Sequence, residues 1–190
     1  MTVPNALTLL RILLIPVLVV VYFLPVAWAP LAATATFALA GITDWLDGYL
    51  ARRLQQTSKF GAFLDPVADK LMVAVALVLL VQTQATVGVS VAAAVIIGRE
   101  ITISALREWM AEIGERGQVK VAMLGKVKTS AQMAAILLML YREPLAGLPV
   151  LQIGVWLLYG AAALTLWSMF VYLRAAWPSL METAGNGPAP

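Results

Sequence analysis

Four aspartates stand close together in an otherwise oily chain: Asp44 and Asp47 in DWLDGYLAR, then Asp65 and Asp69 in GAFLDPVADK. The first pair is spaced i, i+3 and the second i, i+4, so on helices each pair projects from one face. An Asp at mid-membrane costs about 2.5–3.5 kcal/mol on the insertion scale, less near the interface. Four such groups together repel one another and protonate unless a cation balances them. The sequence has no His and no Cys, which removes the usual neutral-pH base and the soft metal ligands. Oxygen-only donors suit Mg²⁺ or Mn²⁺. Four carboxylates are enough for two ions, and ions about 3.5–4 Å apart recur in phosphoryl transfer. The implied substrate therefore carries phosphates. Structural alternatives stay open at this point. Asp65-Pro66 also reads as a helix start, with Asp as N-cap and Pro at N1, and Asp44 and Asp47 can pair with Arg52 or Arg53. Gly48, Gly61 and Ala51 either serve helix packing or leave space for a ligand, which Arg52, one turn beyond Gly48, can clamp.

The surroundings that must position these residues are apolar. Of 190 residues 62% are hydrophobic and 12% charged, with mean hydropathy +0.88, against about 45–50% and about 25% in soluble domains. This is the composition of an integral membrane protein. Spans of about 20 residues cross the hydrocarbon, and six fit: Asn5–Phe23, Leu31–Leu50, Pro66–Val81, Val87–Met110, Val119–Tyr141 and Leu151–Leu173. Breaks at Pro25 and Pro30, Gln82–Thr86, Gly114–Gly117 and Glu143–Pro149 carry turn chemistry. The first span lacks a basic region before it and a cleavage site after it, so it reads as a retained helix. The fold class expected is all-α, six transmembrane helices in one domain over residues 1–177, with a flexible tail over 178–190. Arg52, Arg53, Lys59, Lys70, Arg107, Arg116 and Lys120 flank the connections on one side, with Arg11 and Arg174 towards the ends, whereas the other side keeps Arg142. Lys and Arg accumulate on the cytoplasmic side. Both termini and the aspartates are then cytoplasmic, as in a bacterial inner membrane.

Written out, the pattern is Asp44-x₂-Asp47-Gly48-x₂-Ala51-Arg52-x₈-Gly61-x₃-Asp65-x₃-Asp69. It resembles the signature of the CDP-alcohol phosphatidyltransferases, with all eight defining residues at family spacing, and the six-span layout is similar as well. PNALTLLRILLIP, GREITISALREWM and GKVKTSAQM resemble the branch of that family that uses glycerol 3-phosphate. The resemblance implies transfer of the phosphatidyl group of CDP-diacylglycerol to sn-glycerol 3-phosphate, with CMP leaving, in phospholipid synthesis. It implies metal ligation by Asp44, Asp47 and Asp65. Asp69 is the implied general base and adjoins the metal. Gly48, Ala51, Arg52 and Gly61 are matched to the cytidine nucleotide, and a homodimer is implied. A metal-bound carboxylate is a poor base, so the aspartate least engaged by metal suits that role; the choice of Asp69 over Asp65 comes from the resemblance.

A phosphorylated acceptor needs its own cationic pocket. Arg99 and Arg107 are eight apart on the fourth span, on a similar face and about 12 Å apart in depth. Lys126 and Lys128 lie in the fifth. Arg99, Lys126 and Arg107 are the expected acceptor-phosphate ligands. The competing readings are pairing of Arg99 with Glu100, Glu108 or Glu112, and snorkelling of Arg107 and Lys128. Arg11, with Thr8 and Asn5, is a weaker headgroup candidate. The sequence pI near 9.4 follows from topology and anionic lipid and implies no nucleic acid. A cation-coupled transporter would place its acids near mid-membrane, and a scaffold would not need them. Serine, inositol phosphate or phosphatidylglycerol are the alternative acceptors.

Overall fold

In lipid a spanning segment must satisfy its own backbone hydrogen bonds, and the long apolar runs do so as helices. The computed structural model describes residues 3–54, 59–112 and 122–185. It contains α1 (Val3–Tyr22), α2 (Ala29–Leu54), α3 (Lys59–Gln84), α4 (Val87–Glu112), α5 (Ala122–Tyr141) and α6 (Val150–Gly185). Among the described residues the one β feature is an isolated bridge between Leu145 and Leu148, closing the turn in which Gly147 takes φ 78°. The result is an all-α membrane bundle.

Pro4–Tyr22, Val87–Ala111 and Val150–Arg174 are long and apolar enough to cross a membrane by themselves, and Val127–Tyr141 is a shorter apolar stretch. The charges of α2 gather in its second half and those of α3 in its first half. α3 begins at Lys59 rather than Pro66, so Asp65 is no N-cap and Pro66 lies inside the helix. An interior Pro removes one backbone donor, which membrane helices tolerate when neighbours compensate. α6 continues to Gly185. Gly114–Gly117, Arg116, Lys120, the Val119 start of the fifth span and the tail residues 186–190 lie outside the described residues.

α1 packs against α2 and α3, α6 against α4 and α5, and α5 reaches across to α2. The core between them holds Leu18, Phe37, Leu77, Ile96, Met139 and Leu158. At one end of the bundle Tyr22 donates to the Leu79 carbonyl at 3.1 Å and carries the Arg142 guanidinium over its ring. Among the described residues the buried charged ones, Arg11, Asp47, Arg99 and Lys128, lie towards the opposite end, with Thr8 and Ser168. Helices α5 and α6 touch closely at Gly154, where a Cβ would meet Met139 Cγ at 2.7 Å and the Ala135 carbonyl oxygen at 3.1 Å. Backbone cannot yield there as a side-chain tip can. Gly154→Leu should therefore lower stability by about 1–3 kcal/mol, the usual cost of overpacking, read as an earlier unfolding midpoint in detergent.

Candidate active site at the polar end of the bundle

Three helix segments meet where the aspartates lie: the start of α1, the end of α2 and the start of α3. Asp47 is buried, Asp65 is half-buried, and Asp44 and Asp69 remain open. Between Asp44 and Asp47 stands Arg11, 1% exposed. Its Nη2 donates to Asp47 Oδ2, and Nη1 faces Asp44 Oδ1 at 2.7 Å. Nε of the same guanidinium is buried with no hydrogen-bond partner. One turn earlier on α1, the Thr8 hydroxyl donates to Asp65 Oδ1 at 2.5 Å. Thus α1 ties together an aspartate pair on α2 and an aspartate on α3. The Arg52 or Arg53 pairing considered from sequence finds no support in Arg53, whose guanidinium lies by Tyr49. The side chains of Ala51 and Arg52 lie outside the described residues, and Gly61 is buried.

The carboxylates also sense one another. Asp47 lies close enough to Asp44 and Asp65 to be repelled by both. Asp69 lies within electrostatic reach of Asp44, Arg11, Glu100 and Lys70. The donor set is all oxygen, the chemistry of a hard divalent cation. Among the described residues no three carboxyl groups stand close enough to share one ion, and the compensating charge is the guanidinium of Arg11. The residue types and their placement at one end of α2 and α3 fit such a cation.

A second polar group lies across α4, α5 and α6. Arg99 Nη1 donates to Glu100 Oε1 at 2.9 Å, and Lys128 Nζ donates to the same oxygen at 2.7 Å. Arg99 Nη2 reaches Ser168 Oγ at 3.5 Å. Arg107 Nη2 donates to the Tyr172 hydroxyl at 2.8 Å. The structure brings Arg99 and Arg107 to one region, as the eight-residue spacing implies. It also realises the competing Arg99–Glu100 pair, and it buries Lys128, which does not snorkel. The Lys126 side chain lies outside the described residues. Lys70 donates to Ser104 Oγ, joining the start of α3 to α4 beside this cluster.

With this geometry the similarities become specific. A sequence model of the CDP-alcohol phosphatidyltransferase family matches residues 1–167. The chain belongs to the CDP-alcohol phosphatidyltransferase family. Members of this family depend on divalent metal ions. Among its relatives, one from Pseudomonas fluorescens, named CDP-diacylglycerol–glycerol-3-phosphate 3-phosphatidyltransferase, is 56% identical over 181 residues, covering 95% of this chain and 92% of its own. Two others with the same name, from Pectobacterium atrosepticum and Sodalis glossinidius, are 55% identical over 180 residues and 53% over 184. They cover 95% and 96% of this chain, and 97% and 98% of their own.

Thr8 and Arg11 were the weakest sequence candidates and stand in the middle of the aspartate site. Their signal was a charged residue in the first half of the first apolar run, a costly placement without a partner. Tyr172 and Ser168 left no signal, because an aromatic or small hydroxyl in a membrane helix is ordinary. Gly48 behaves differently from Gly154: among the described residues a Cβ there would meet nothing within 4 Å. Packing does not require a glycine at this position, although a helical Gly costs about 1 kcal/mol relative to Ala. Gly48→Ala should leave the unfolding midpoint unchanged or higher while raising the Kd for CDP-diacylglycerol, measured by binding to the detergent-purified protein.

Proposed function

We infer that the chain transfers the phosphatidyl group of CDP-diacylglycerol to sn-glycerol 3-phosphate, giving phosphatidylglycerophosphate and CMP in phospholipid biosynthesis. Its near full-length similarity to bacterial enzymes named for this reaction supports the substrates. The observation that carries the chemistry is the aspartate cluster held by Arg11 and Thr8, with Asp69 on α3 beside Lys70, which is tied to Ser104 of the second polar group. A base in that position serves a nucleotide site and an acceptor site at once.

Asp44, Asp47 and Asp65 would hold the divalent metal, Mg²⁺ or Mn²⁺ as two ions, with Asp69 adjoining. When bound, the metal neutralises the pyrophosphate and the departing CMP. The chain's own groups do the rest. Gly48 leaves open space along α2 for the nucleotide, with Ala51, Arg52 and Gly61 as its further contacts. Arg11 adds a fixed positive charge in a water-poor site, where preorganised charge acts most strongly. Arg99 and Arg107, with Lys126, bind the acceptor phosphate and orient its hydroxyl towards Asp69. Asp69 takes the hydroxyl proton as the acceptor oxygen bonds to the phosphorus attached to diacylglycerol, and the bond from that phosphorus to CMP breaks.

The basic residues flanking the second and fourth connections support an inner-membrane protein with both termini and this site facing the cytoplasm. A homodimer follows from the family resemblance.

The test is an assay of purified protein with CDP-diacylglycerol and labelled glycerol 3-phosphate, with and without chelator, beside Asp69→Asn. Labelled lipid and CMP should form in equal amounts, stop on chelation and return with Mg²⁺ or Mn²⁺. Asp69→Asn should lower kcat at least about 100-fold, the lower range of general base contributions, while CDP-diacylglycerol still binds. A variant with kcat near that of the parent would contradict the base assignment. Labelled lipid formed from serine and not from glycerol phosphate would overturn the acceptor.

A further inference from the structure

Arg99, Arg107 and Lys128 bring three cations to the region where α4, α5 and α6 meet, and the carboxylate that Arg99 and Lys128 touch there is Glu100. Two positive charges are left over. A phosphomonoester carries about −1.5 to −2 at neutral pH, so the surplus matches one such group. A second observation points the same way. Arg99 is 8% exposed, and its Nε has no partner, a buried donor left unsatisfied at a cost of about 1–3 kcal/mol. Lys128, 2% exposed, bonds to Glu100 through one of its three donors.

These cations would be of little use if they were loose. An arginine on a helix near the interface ordinarily snorkels to water and samples many rotamers. Here one aromatic side chain takes hold of two of them. Tyr172 on α6 is 8% exposed, with the guanidinium of Arg107 at 5.4 Å and that of Arg99 at 5.8 Å from its ring centre. Its hydroxyl accepts from Arg107 Nη2 at 2.8 Å. The quadrupole of the ring attracts both cations, and the hydrogen bond fixes the orientation of one. Ser168, one turn earlier, reaches Arg99 Nη2 at 3.5 Å.

We propose that Tyr172 is a positioning residue for acceptor specificity: its ring and hydroxyl set Arg99 and Arg107 as a fixed pair for a phosphomonoester dianion, while Glu100 holds Lys128 beside them. The proposal rests on the reading of Arg99 and Arg107 as the acceptor-phosphate ligands and names what makes them selective. Ordering two long side chains before the ligand arrives lowers the cost of binding it. The residue acts through the arginines and touches no reacting atom.

The experiment compares initial rates of the full-length enzyme in detergent with Tyr172→Phe, Tyr172→Leu, Arg99→Met and Arg107→Met, varying each substrate at saturating levels of the other. Tyr172→Phe keeps the ring and loses the hydroxyl bond. It should raise the KM for glycerol 3-phosphate about tenfold, the scale of one hydrogen bond to a charged group, with kcat and the KM for CDP-diacylglycerol unchanged. Tyr172→Leu should raise the same KM further; if it does not fold, Tyr172→Phe still decides. An unaltered KM for glycerol 3-phosphate in Tyr172→Phe, beside a raised one in both arginine variants, would overturn the role of Tyr172 alone. Unaltered values in both arginine variants would overturn the acceptor reading beneath it. Equal rises in both KM values with a lower unfolding midpoint would show a structural role and overturn the proposal.

Discussion

Negative charge at the end of a membrane bundle has to be balanced, and here a buried guanidinium does it. Arg11 pairs with Asp44 and Asp47 from within α1, and Thr8 on the same face reaches Asp65 on α3. Removing one partner of a buried pair leaves an uncompensated charge and costs about 3–5 kcal/mol. The arrangement of the first three helices depends on this contact as much as on the apolar core. α1 must present its polar turn to the aspartates, which fixes its rotation and depth. Leu14 and Leu18 then fall into the core.

The same constraint explains the division of the bundle into two polar clusters. At the ends of α2 and α3 four aspartates gather about the one buried guanidinium of Arg11, so the cluster attracts positive charge and suits a metal-bound pyrophosphate. On α4, α5 and α6 the cations outnumber the one carboxylate they touch, which suits a free phosphate. Asp69 and Lys70 lie where the two regions adjoin, Lys70 tied to Ser104 and Asp69 within electrostatic reach of Glu100. A reaction joining a nucleotide-activated lipid to a phosphorylated alcohol needs that border. The flanks of the bundle expose large apolar side chains such as Leu13, Val78 and Trp167, as suits contact with lipid.

Much of this was legible in the sequence. The apolar runs are spaced by Pro, Gly and charge, so the number and order of helices follow from hydropathy. The aspartates stand out because their cost in lipid makes a neutral explanation expensive. The ends of helices were less legible. Pro66 reads locally as a helix start, yet the turns before it are helical, an interior proline of the kind membrane helices tolerate. The length of α6 beyond Leu173 was hidden for a related reason: a helix propagates cheaply once formed, so hydropathy marks the membrane boundary and not the helix end. Least legible were the partners across helices. Arg11 and Tyr172 act through residues far away in sequence, and no local spacing rule reports a contact set by the packing of α1 on α2 or of α4 on α6.

The central claim is that Arg11 and Asp47 form one buried, coupled unit on which the aspartate site is built. A double-mutant cycle with Arg11→Met and Asp47→Asn, read as unfolding free energy in detergent with chelator present, tests it most directly. The double variant should be more stable than Arg11→Met alone, with effects that depart from additivity by at least about 1 kcal/mol, as for groups in direct contact. Two effects that add within about 0.5 kcal/mol, the behaviour of independent sites, would contradict it.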